Sequence, residues 1–185
     1  MTRRGWFFTT YFAVLGVGAS LAVHPVPRLV WNATASVPVG LYRLRPDPVP
    51  RVGDVVALRL PDATAMLLAR RGYLPLGVPL LKPVTAIAGQ IVCRSGPRVT
   101  IDGVPAGDAK PVDHRGRPLP VWQGCRRLDP GQVFVMNEAE PLSLDGRYFG
   151  LLPVSAVIGR ATPLWLPSRP EYAAEPSFTP SAKGR

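Results

Sequence analysis

Ser36 in TASVPVG, Lys82 in VPLLKPVTAIAG and the run SLDGRYFG from Ser143 to Gly150 are the residues of this chain whose types suit covalent chemistry. A serine hydroxyl is a weak nucleophile and needs a base within hydrogen-bond reach. The chain has two histidines, His24 beside an apolar N-terminal segment and His114 in a DHRGRP turn, which supports a Ser-His-Asp triad poorly. A lysine can take the role if it is neutral. Its reference pKa near ~10.4 leaves roughly one part in a thousand neutral at pH ~7.4. Burial among apolar neighbours lowers that pKa by up to several units, and Leu80, Leu81, Val84 and Ile87 stand ready to desolvate Lys82. Ser143 could orient the amine, and Asp145 with Arg147 could brace the loop that carries Ser143. Singly, each feature has an ordinary reading: a loop serine, a lysine that snorkels to the surface, a turn ion pair of little energetic weight.

The elements that would position these groups are short. The 23 prolines and 18 glycines cut 185 residues into small pieces, which favours a mainly β architecture. Strands are expected over Leu41–Leu44, after the turn in RVGDVVALRL (Arg51–Leu60), within the apolar run Pro79–Val92, and over Gln132–Met136. Leu151–Arg160 could close the sheet. A helix is expected over Ala63–Arg71, closed by Gly72, and a hairpin at VTIDGVPA, where Asp102-Gly103 is a tight-turn pair. Lys82 precedes Pro83, which biases it to an extended backbone and denies the strand one donor. That suits an edge strand open to an incoming peptide.

Trp6–Val23 (WFFTTYFAVLGVGASLAV) carries no charge over 18 residues. At about 1.5 Å per residue it is roughly 27 Å long, enough for a bilayer core. Two arginines in MTRR precede it, which places residues 1–5 in the cytoplasm and everything from His24 outside. A cleaved signal peptide with Ser20-Leu21-Ala22 as its processing site is the competing reading. The expected organisation is thus an anchor over 6–23, a domain over 24–165 with a Gly-, Pro- and Arg-rich insertion over about 94–132, and a disordered tail over 166–185.

Three blocks in this order, TASVPVG, LLKPVTAIAGQIV and SLDGRYFG, resemble the bacterial type I signal peptidase superfamily. The pattern Asn32-x-Thr34-x-Ser36-x-Pro38-x-Gly40-x-Tyr42 is similar to its TraF-type conjugative transfer branch, as is Met136-Asn137-Glu138-Ala139-Glu140 in place of a Gly-Asp-Asn-Arg start. The resemblance implies an antiparallel, signal-peptidase-like β-domain behind one N-terminal transmembrane helix. It implies Ser36 as nucleophile, Lys82 as general base and Thr34 as a hydroxyl helping to hold the oxyanion. Asp145 matches an acidic residue of the family, and its alternative role is a structural ion pair with Arg147. The implied substrate is a membrane-inserted precursor such as a conjugative pilin, processed at the periplasmic face of the inner membrane beside the transfer apparatus, by hydrolysis or by cyclisation.

No cofactor is implied. Cys93 and Cys125 fit no close-spaced metal motif; in an extracytoplasmic domain they would form a disulfide, otherwise two buried thiols. The formal charge of +10 comes from scattered arginines without a basic helix, which argues against a nucleic-acid partner. A general leader peptidase and a non-catalytic anchored β-domain of a secretion apparatus remain the alternatives.

Overall fold

The computed structural model describes residues 2–22, 27–34, 36–46 and 49–167. Helix α1 (Arg3–Ala22) is followed by strands β1 (Leu29–Asn32), β2 (Gly40–Arg45) and β3 (Val55–Leu58), then helix α2 (Asp62–Arg70). Strands β4 (Leu80–Ile87), β5 (Ile91–Ser95), β6 (Arg98–Ile101), β7 (Val104–Asp108), β8 (Gly124–Arg127) and β9 (Gln132–Val135) come next. A short helix α3 (Gly146–Phe149), strand β10 (Leu152–Pro153), a 3-10 turn and strand β11 (Val157–Trp165) complete the order. The strands form a seven-stranded sheet ordered β1-β2-β11-β3-β4-β9-β10 and a four-stranded sheet ordered β7-β6-β5-β8. All pairings are antiparallel.

Side-chain alternation decides what each face of β4 meets. Leu80 and Val84 join Val56, Leu58, Val133, Val135 and Leu68 of α2 in one apolar cluster. Leu81 joins Tyr42, Leu44, Ala57 and Ala161 in another. Lys82, two residues from Leu80 and from Val84, falls on the face that α2 covers, and is 2% exposed. α2 begins with Asp62 and ends with Arg70, which complements its dipole; its buried Leu68 contributes about 1.5–3 kcal/mol of burial.

The expected strands, the α2 helix and the hairpin are present, the last with Asp102 at φ 50°. Three expectations change. β4 is not an edge strand: it pairs with β3 through Val56↔Lys82 and with β9 from Val84 on. Periodicity within one segment carries no information about which distant strands lie beside it. In register, Leu80–Pro83 of β4 pair with β3, and Val84, Ala86 and Ile87 pair with β9.

Residues 94–132 carry most of the second sheet, including the expected hairpin, in strands otherwise too short and turn-rich to stand out. A disulfide joins Cys93 to Cys125, directly opposed residues of β5 and β8. Leu81 desolvates the other face of the sheet rather than Lys82.

The N-terminal segment is a helix, but it starts at Arg3, so two arginines occupy its first turn. Among the described residues no helix is long and apolar enough to cross a membrane. Val23, the last residue of the charge-free run, and His24 lie outside the described residues, as does the expected tail from residue 168 on.

Candidate active site

The nucleophile candidate sits in the hairpin loop between β1 and β2, and that loop is built by its own side chains. Asn32, the last residue of β1, donates Nδ2 to the carbonyls of Thr34 (2.8 Å), Val37 (2.9 Å) and Pro38 (3.1 Å). Its Oδ1 accepts from the Thr34 N–H at 3.3 Å and from Thr34 Oγ1 at 3.0 Å. Tyr42 closes the loop from β2, its hydroxyl donating to the Pro38 carbonyl at 2.7 Å. Gly40 is required because β11 runs against it: a Cβ there would strike the Trp165 carbonyl. Asn32 is buried, and its amide replaces the backbone partners that a loop of this shape lacks.

Ser36 is 8% exposed, and its Oγ lies 2.8 Å from Thr34 Oγ1. A hydroxyl has one proton to give. Thr34 gives its own to Asn32, so Ser36 is the donor in the Ser36–Thr34 bond.

The base candidate is held from the other side. Lys82 Nζ donates to Ser143 Oγ at 2.5 Å. Burial lowers the Lys82 pKa to about 8; Asp145 pulls it back up, Arg147 lowers it further and Glu140 raises it. Desolvation wins because Asp145 is already engaged. Its Oδ1 accepts from the Arg147 N–H (3.1 Å) and Nε (3.0 Å), and its Oδ2 from Arg147 Nη2 (2.9 Å) and the Asn137 N–H (3.1 Å). Paired directly with Lys82, the same carboxylate would favour the ammonium form. With a pKa near 8, roughly a fifth of the amine is neutral at pH ~7.4.

Asp145 and Arg147 are both buried and form an ion pair, the structural one of the two roles open for Asp145 in the sequence. Arg147 also donates through Nη2 to the carbonyls of Asn137, Glu140 and Ser143, which gathers the 137–145 loop around one guanidinium. Gly146 lets α3 pack on β9, since a Cβ would meet the Phe134 ring and the Val135 carbonyl (2.7 Å). From the second sheet, Arg94 Nη1 donates to the Arg147 carbonyl at 2.5 Å and Trp122 Nε1 to the Gly146 carbonyl at 3.0 Å.

Thr34, Ser36, Lys82 and Ser143 line one cavity of about 330 Å³ with Leu68, Tyr73, Leu74, Leu80, Glu140, Leu142 and Leu144. Four of the six foremost candidates from the sequence thus line one cavity, and the other two, Asp145 and Arg147, stand behind them. Cys93 and Cys125 belong to the second sheet. Two further residues of the site, Asn32 and Asn137, had no role assigned from sequence. Asn32 opens the N-x-T-x-S pattern and Asn137 lies in the Met136–Glu140 run of the TraF-type resemblance, but neither run says what its asparagine holds.

A protein-family model described as "Signal peptidase, peptidase S26" matches residues 1–166. A "Probable conjugal transfer protein TraF" of Sinorhizobium fredii (strain NBRC 101917 / NGR234) is 37% identical over 140 residues, covering 70% of this chain and 73% of that one. A "Conjugal transfer protein TraF" of Agrobacterium tumefaciens (strain 15955) is 34% identical over 173 residues, 88% of this chain and 96% of that one. Among solved structures, a signal peptidase I from Enterococcus faecalis V583 aligns at 20% identity with a TM-score of 0.35, over 62% of this chain and 97% of that one, a likeness too slight to add weight. The family-model match and the relatives agree: the chain belongs to the signal peptidase S26 family and is similar to its TraF-type members.

Proposed function

We propose that this protein is a membrane-anchored serine endopeptidase in which Ser36 attacks and Lys82 moves the proton. One observation carries the reading: a buried lysine with a pKa near 8 shares a cavity with a serine at a hairpin tip. In the proposed cycle, Ser36 Oγ turns from Thr34 toward Lys82, loses its proton to the neutral amine and adds to the scissile carbonyl. The Ser36 N–H and Thr34 hydroxyl hold the oxyanion, for which Thr34 must release Asn32; such donors are worth about 2.7–4 kcal/mol. The Lys82 ammonium then protonates the leaving amine, which leaves an acyl-enzyme on Ser36. Water deprotonated by Lys82 resolves it, or the amino terminus of the substrate does so and yields a cyclic product.

The relatives are named for conjugal transfer; the substrate proposed with this reading is a pilin precursor, handled beside the conjugative transfer apparatus. Within this reading α1 anchors the enzyme in the inner membrane with the sheets on the periplasmic side. A pair of exposed tryptophans supports a lipid-facing orientation: the rings of Trp31 and Trp165 lie 5.7 Å apart. Tryptophans are enriched at such interfaces.

A non-catalytic β-domain of the transfer apparatus is the second reading, favoured by the bond of Ser36 to Thr34 rather than to Lys82. The deciding measurement is the intact mass of a co-expressed candidate pilin precursor with wild type and with Lys82→Ala. A defined loss with wild type only supports the dyad, and a product one water lighter than the linear form indicates cyclisation. Processing that persists in a folded Lys82→Ala protein rejects it.

A further inference from the structure

The nucleophile candidate and the base candidate ride on different parts of the chain. Ser36 is on a hairpin whose ladder runs through β11, whereas Lys82 is inside the sheet between β3 and β9. Asn137 joins the two. Its Nδ2 donates to the Ser36 carbonyl at 2.7 Å, across 101 residues of sequence. Every other polar group of Asn137 is engaged on the base side. Its N–H donates to Asp145 Oδ2 at 3.1 Å, its carbonyl accepts from Arg147 Nη2 at 3.3 Å, and its Oδ1 accepts from the Ala139 N–H at 3.0 Å. The preceding residue is tied to β4 itself, where the Met136 N–H donates to the carbonyl of Pro83, next to Lys82.

We propose that Asn137 is the positioning residue that sets the separation between Ser36 and Lys82. It grips the peptide that follows the nucleophile and is itself fastened to the strand and the ion pair behind the base. The Asn32 amide holds the neighbouring carbonyls of Thr34 and Val37, so the loop is stiff within itself and its position depends on the external hold at Ser36. The inference rests on the Ser36–Lys82 reading. Two atoms that must exchange a proton tolerate little displacement: a misplacement of about 1 Å can cost roughly a hundredfold.

The test uses the full chain in detergent and a quenched fluorescent peptide bearing an Ala-x-Ala cleavage site, a small-x-small pattern used in exported precursors. Cleavage by wild type and none by Ser36→Ala is the control for the underlying reading, and its failure counts against that reading alone. Given that control, Asn137→Ala should lower kcat by about 10- to 100-fold, with KM within about twofold and the pH midpoint of the rate unchanged. Asn137→Asp keeps the size and the acceptor for Ala139 but has no donor for Ser36; it should fall as far, and it serves if the alanine variant does not fold. A kcat within about twofold of wild type in either folded variant overturns the proposal. So does a loss of activity that follows a lowered melting temperature and disappears where the variant is fully folded.

Discussion

Lys82 and Ser143, 61 residues apart in sequence, form a short hydrogen bond inside the protein, with the amine donating to the hydroxyl. The amine is buried and yet has no carboxylate as its direct partner, and this combination is what brings its pKa to about 8. The Lys82 side of the candidate site is therefore a desolvation device, with a polar hand on the nitrogen and the negative charge kept one residue layer behind.

The rate should follow the neutral form of Lys82. With the amine as base, kcat/KM should rise tenfold per pH unit below about 8 and level off above it. Initial rates between pH 6 and 10 check this. A flat profile across that range would remove Lys82 from the proton path.

The same shift has a consequence for stability. The folded-state pKa of Lys82 is depressed, so the unfolded chain binds the extra proton more readily. Stability from this residue therefore increases as pH rises from about 8 to 10.5, and below that window the folded state carries the full penalty of a buried charge. Lys82→Met should be more stable than wild type at pH 6, and the difference should shrink by pH 10. Urea midpoints at the two pH values give the comparison, because the other titrating groups are common to both proteins.

Ser143→Ala should leave the fold nearly intact and lower kcat by about 10- to 100-fold, since the Lys82 amine loses the acceptor that aims it. Single-turnover kinetics separate this from weaker binding. Unchanged kcat would mean that the cavity walls alone orient the amine.

Asp145→Asn should act on stability first. It leaves the Arg147 guanidinium buried without its counter-charge, and breaking a buried pair costs about 3–5 kcal/mol. Reading the denaturation midpoint beside the activity of the fraction that remains folded decides whether Asp145 is a brace or a participant. The uncompensated Arg147 should also push the Lys82 pKa lower still.

Reducing the Cys93–Cys125 bond, which closes a sequence separation of 32, should cost about 3–4 kcal/mol by the loop-entropy model. Arg94 and Trp122 lie inside that loop and hold the carbonyls of Arg147 and Gly146, so activity should decline with stability. Melting with and without reductant measures it.

The chemical parts of the site were legible in the sequence because their types and order are informative: Ser36, Lys82, Ser143, Asp145 and Arg147 each sit in a distinctive local run. Local propensity also gave β2, β3, β9, α2 and the Asp102-Gly103 turn. What stayed hidden is long-range. Nothing near Lys82 says that β3 and β9 flank it, and nothing near Asn137 says that its amide reaches a residue 101 positions away. The four-stranded sheet was obscured because its strands are four or five residues long and alternate with Gly and Pro. The N-terminal helix was read correctly as a helix, but its charged first turn lies inside it rather than ahead of it.

The strand order has a consequence in time. β2, which carries the Ser36 hairpin, meets the rest of the seven-stranded sheet through β11, the final strand of the described chain. The hairpin's other hold, from Asn137, also lies in the last third of the sequence. A ribosome adding about 5–20 residues per second delivers the serine first and its moorings last. Within the proposed reading, the hairpin that carries Ser36 takes its place beside the Lys82 pocket only once β11 has emerged, so a partly made molecule would lack the assembled Ser36–Lys82 pair.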